Sequence, residues 1–101
     1  MTSPALTTQE HEALVRLLSI ARRDTHQAGK VARFLLAWWN AEECGGFDLT
    51  DTWGVDDAIA QDILTVFPAI VRTNAYPDAL GYAELFEHVV KMWKPQKSPM
   101  H

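Results

Sequence analysis

The chain has 101 residues, 48% of them hydrophobic and 22% charged, with nine Lys and Arg against thirteen Asp and Glu. That is the balance of one globular domain able to bury a core without staples, and it excludes the disordered and fibrous classes. A single cysteine, Cys44, excludes an internal disulfide framework, and the longest apolar run, 34–39, is far short of the roughly 20 residues a membrane span needs.

Residues 1–6, beginning Met1-Thr2-Ser3-Pro4, lack the basic and apolar regions of a signal peptide and read as a flexible leader. A soluble, cytoplasmic chain without membrane association is expected. Thr7-Thr8-Gln9-Glu10 fits a capping box, in which the Thr7 hydroxyl and the Glu10 carboxylate each take up a backbone donor of the other. Leu14, Leu17, Leu18 and Ala21 then follow one helical face. Arg22 and Arg23 fall in the last turn, where cations favour the carbonyl end of the dipole, and Asp24-Thr25 can cap the next helix.

The second helix is predicted from about His26 to Glu43, with Ala28, Val31, Ala32, Leu35, Trp38 and Trp39 as its stripe and Phe34 and Leu36 on other faces. A helix apolar nearly all round is buried on several sides, which makes this one the expected centre of the fold. Gly45-Gly46 stops it. The connector over 47–54 carries the helix-start residues Asp48, Thr50, Asp51 and Thr52, enough for a single turn. A third helix from about Val55 places Ile59, Ile63, Val66 and Ile70 on one face. Pro68 falls inside it, and its missing N–H and crowding ring predict a kink or a break. After a turn over 74–77, Tyr82, Leu85, Phe86, Val89, Val90 and Trp93 make a fourth helix that Lys94-Pro95 ends, leaving 96–101 as a flexible polar tail. Nothing alternates with period two. The expected fold is all-α, a small bundle of four main helices forming a single domain over 7–95.

The net charge of −4 is uneven. Residues 34–71 hold seven acids (Glu42, Glu43, Asp48, Asp51, Asp56, Asp57 and Asp62) and no Lys or Arg, while both flanks are net basic. Either these acids cap helices and solvate an apolar segment, or they form a surface that repels phosphates and attracts basic partners.

Catalytic patterns are missing. The histidines share no ligand spacing with each other or with Cys44, and setting Gly54 at position six of a calcium loop puts Leu49 where an oxygen ligand belongs. Glu42, Glu43, Asp48 and Asp51 can approach a divalent cation, but their spacing fixes no ligand count, so neither metal nor cofactor is expected. Cys44 lies at a helix C-terminus beside two glutamates, where the thiolate is disfavoured. No nucleophile elbow or phosphate-binding glycine loop occurs. A non-enzymatic protein is expected.

Two surfaces remain as candidates. Trp38 and Trp39 project about 100° apart around their helix, and Trp53 sits in the connector. Either the core wraps the second helix on two sides, or one indole is exposed and anchors a partner. With Glu42, Glu43, Asp48 and Asp51 as an acidic rim, these residues make a candidate surface for a protein partner or a second copy. The alternative is a small DNA-associated regulator with phosphate contacts from Arg22, Arg23, Lys30 and Arg33 at the first corner. It is disfavoured because the helix after that corner is apolar rather than a polar recognition helix, and because the middle of the chain is acidic.

The segment Leu35-Leu36-Ala37-Trp38-Trp39-Asn40-Ala41-Glu42-Glu43-Cys44-Gly45-Gly46-Phe47-Asp48-Leu49-Thr50-Asp51 resembles a family of small uncharacterised proteobacterial proteins. Arg22-Arg23-Asp24-Thr25, Val55-Asp56, Ala58-Ile59-Ala60 and Tyr76-Pro77-Asp78 extend the likeness over about 14–94, with His26 standing where the pattern has glycine. The resemblance implies proteins encoded largely on plasmids and integrative conjugative elements, and it brings no catalytic residues with it. Physically, the matching segment reads as a corner whose Asn40, Gly45-Gly46, Asp48 and Asp51 serve backbone donors and acceptors. The function expected is that of an interaction or accessory module of a mobile genetic element.

Overall fold

Caps set the first two helix starts. The computed structural model describes residues 5–93; residues 1–4 of the expected leader over 1–6, the Lys94-Pro95 stop and the tail over 96–101 lie outside the described residues. Thr7 Oγ1 accepts from the Glu10 N–H at 3.1 Å and Glu10 accepts from the Thr7 N–H at 2.9 Å, so the capping box forms and opens α1 (Thr8–Ala21). Thr25 Oγ1 accepts from the Ala28 N–H and opens α2 (His26–Cys44). Gly45, with φ 95° and ψ 158°, ends α2 in a conformation essentially reserved for glycine. A 3₁₀ turn at Leu49–Gly54 leads to α3 (Asp57–Thr73). Asn74 closes α3 in the left-handed region, and a second 3₁₀ turn, Pro77–Leu80, precedes α4 (Ala83–Trp93). The fold is all-α with four main helices, and no strand occurs among the described residues.

Two local expectations are corrected. Of the kink or break expected at Pro68, the break does not occur: α3 runs continuously from Asp57 to Thr73. Pro68 is exposed, so the Leu64 carbonyl that loses its donor lies on the water side, where solvent replaces the bond. The irregularity falls in α2 instead: Asn40 takes extended dihedrals, φ −169° and ψ 86°, and its Oδ1 accepts from the Glu43 N–H at 3.2 Å. Asn40 therefore caps a fresh final turn of α2 as a helix N-cap would. Arg22 and Arg23 lie just past the last residue of α1, not in its final turn; their backbone N–H groups close it by bonding the Ser19 and Ile20 carbonyls.

α2 is buried on most of its faces, as expected, and shares the centre of the fold with α1, against which all three other helices pack. Leu14, Leu17, Val31, Leu35, Val66, Phe86 and Val89 form the fully enclosed centre. Two ion pairs fasten α1 to α3. Arg16 bonds Asp62 through two N–H donors at 2.9 Å each, and Arg72 bonds both oxygens of Glu10 at 2.7 and 2.8 Å. Arg72 also donates to the Ala5 carbonyl at 3.1 Å, which holds the chain entering α1.

Candidate interaction surface

The indoles divide clearly. Trp38 is 8% exposed, donates from Nε1 to the Ala75 carbonyl at 3.0 Å and meets the Phe86 ring edge-on. Trp39, half-buried, stacks on the same Phe86 with ring planes 14° apart. The two neighbours thus grip one ring of α4, and both serve the core. Trp93 donates to the Ala21 carbonyl at the end of α1. Trp53, on the 3₁₀ turn, is 83% exposed; of the four indoles it alone stands in water.

The acids of the connector are mostly engaged. Asp48 accepts from both the backbone N–H and the hydroxyl of Thr50, at 2.9 and 2.7 Å, and these bonds lower its pKa. Asp51 accepts from Arg33 Nε at 3.1 Å. Asp56 and Gln27 bond reciprocally, tying the start of α3 to α2. Asp62 is buried under Arg16. Glu42 and Glu43 are exposed on the last turn of α2, and Glu42 borders a surface hollow beside Tyr76 and Asp78. The corner reading therefore accounts for Asn40, Gly45 and Asp48.

The basic corner is not a fan of four free cations. Arg33 is committed to Asp51, and the Lys30 ammonium lies against Gly54, in the space that a side chain there would fill. Both reach toward the acidic connector. Arg22 and Arg23 are exposed.

One surface escaped the sequence reading. α3 packs its Ile59, Ile63, Val66 and Ala69 inward, yet a second apolar row runs along its opposite side: Leu64 at 62%, Phe67 at 54% and Val71 at 68% exposure. Their i, i+3, i+7 spacing was available as a signal. Phe67 also borders a groove of about 390 Å³ whose walls are Phe34, Ala37, Phe47, Leu49, Ile70 and Tyr76. Leu49 and Tyr76 are exposed, so the row and the groove make one apolar face between α3, the 3₁₀ turn and the end of α2. Of the predicted surface residues, only Trp38 lines this groove. Trp53 stands on the same 3₁₀ turn as Leu49, and Asp48 immediately precedes it.

Among the described residues, no group of three His, Cys, Asp or Glu side chains is placed to hold a metal ion, and no helix is long and apolar enough to cross a membrane. The model of a family of unknown function (DUF7673) matches residues 11–94. No curated protein and no solved structure matches the chain.

Proposed function

The chain belongs to the DUF7673 family of unknown function, and from that premise we propose that it is a non-enzymatic interaction module docking a polypeptide on the outer face of α3 and the adjoining groove. The observation that carries this reading is the row Leu64, Phe67 and Val71, more than half exposed on a helix whose other side is already spent on the core. Burying such a side chain stabilises a complex by about 1.5–3 kcal/mol relative to leaving it fully exposed, and contiguous apolar faces on monomers are often functional. Trp53 supplies an exposed indole beside this face, a residue type enriched at binding hot spots. The role fits a cytoplasmic accessory protein of a mobile genetic element, as the family resemblance implies.

A DNA-associated role draws less support from the geometry. Arg22 and Arg23 are free to meet phosphates, but Arg33 is paired with Asp51 and Lys30 lies over Gly54.

Affinity capture from the host with tagged wild type and Phe67→Asp, each with and without nuclease, tests the reading. A polypeptide that survives nuclease and is lost with Phe67→Asp supports it. Captured material that vanishes with nuclease, or that ignores the substitution, overturns it.

A further inference from the structure

The outer row of α3 has features that say what covers it. From Ala58 to Val71 the positions on that side are Ala60, Leu64, Phe67, Pro68 and Val71, with no charge among them. Charges stand only at its ends, Asp57 in the first turn and Arg72 in the last. The Arg72 side chain is still 48% exposed although it holds Glu10. Arg72 gives donors to Glu10 and to the Ala5 carbonyl, so only its outward, half-exposed edge adds positive character at that end; with Asp57 at the other end and the apolar row between, the face is weakly complementary to itself when turned end for end. Two such helices side by side in antiparallel order bring each Asp57 toward Arg72 of the partner subunit and oppose their macrodipoles. In parallel order they would set like charges together.

Resting on the interaction reading above, we infer that the occupant of this face is a second copy of the chain, packed with α3 antiparallel to α3 about a two-fold axis. A register with the axis between residues 65 and 66 sets Leu64 against Phe67 of the partner subunit and Ala60 against Val71 of the partner subunit. Phe67 then meets Leu64 rather than a second Phe67, and Val71 meets the small Ala60, so the two rows can interdigitate. With Leu49 and Tyr76 flanking the row, the exposed apolar area is on the order of 500 Å² per copy, a large part of the roughly 800 Å² that each partner gives to a standard interface. Because the same patch serves both copies, the contact closes at two and does not propagate.

Light scattering on the size-exclusion peak of the full chain, loaded from roughly 1 µM to roughly 200 µM, tests this. The mass is expected to rise to about twice the 11.4 kDa of one chain. Phe67→Asp, and independently Val71→Asp at the far end of the row, should hold it at one chain with an unchanged helical circular dichroism spectrum. Val15→Asp and Met92→Asp, exposed apolar sites elsewhere, should leave the dimer intact. Asp57→Lys should weaken it by about three-fold through loss of one kind of rim pair; a tighter dimer would overturn the antiparallel order. A wild type that stays monomeric, or a dimer indifferent to both Phe67→Asp and Val71→Asp, overturns the second copy as occupant. If a monomer still captures a different polypeptide in a Phe67-dependent way, the interaction reading survives that failure. If it captures none, both fall.

Discussion

Glu10 carries three duties on one carboxylate: it accepts from the Thr7 N–H, bonds Arg72 Nη1 at 2.8 Å, and bonds Arg72 Nη2 at 2.7 Å. The Arg72 guanidinium, helped by the Thr7 bonds and opposed by burial, holds its pKa down at about 2, against an ordinary 4.5. Each pKa unit is worth about 1.4 kcal/mol, so the full shift corresponds to about 3 kcal/mol. The Arg72 side chain is 48% exposed, and solvent screening reduces the expected contribution to about 1–2 kcal/mol. A carboxylate with a depressed folded-state pKa stabilises fully above its unfolded value and loses that contribution as it protonates. The stabilisation should therefore be complete at neutral pH and disappear as pH falls from about 4.5 to about 2. Glu10→Gln keeps the size and an oxygen for Thr7 while removing the charge. Urea denaturation of wild type and Glu10→Gln across that range, at one protein concentration, should show a gap of about 1–2 kcal/mol at neutral pH that closes in acid. A gap that stays constant with pH, or no gap at neutral pH, would refute the charge-based account of the α1–α3 fastening.

Further outcomes follow from single positions. Gly45→Ala puts a Cβ on a backbone at φ 95° and ψ 158°, and should cost about 1–3 kcal/mol in denaturant melts although the space around it is open. Pro68→Ala restores the N–H that α3 lacks at an exposed position, and should stabilise by about 1–3 kcal/mol; an unchanged or lower melting temperature would mean that the helix already absorbs the missing bond. In acrylamide quenching, Trp53→Phe should remove most of the readily quenched emission and shift stability by less than about 0.5 kcal/mol, since the other three indoles are at least half-buried.

What could be read in the sequence was local. The Thr7–Glu10 box, the Thr25 cap, the Gly45 stop and the 3.6-residue stripes involve residues within about four positions of one another, so their geometry is written in their spacing. The Arg16–Asp62 and Arg72–Glu10 pairs join positions 46 and 62 residues apart, and no spacing announces them. Pro68 shows what a local rule leaves open: its cost depends on whether the orphaned carbonyl faces core or water, which packing against α1 decides. Trp38 and Trp39 project about 100° apart, yet both reach Phe86 because the ring of α4 lies between their directions. For the candidate surface, the apolar residues on both sides of α3 are visible in the chain, but which side faces the core follows only from where α1 lies.

The most direct measurement is a dilution series of amide ¹⁵N–¹H correlation spectra on the full chain. Concentration-dependent shifts gathered at Leu64, Phe67 and Val71, with Leu49 and Tyr76 at their border, are what a second copy docked on the apolar face of α3 predicts. Shifts gathered instead around Val15, Leu85 and Met92, or spectra that do not change with concentration, would contradict it.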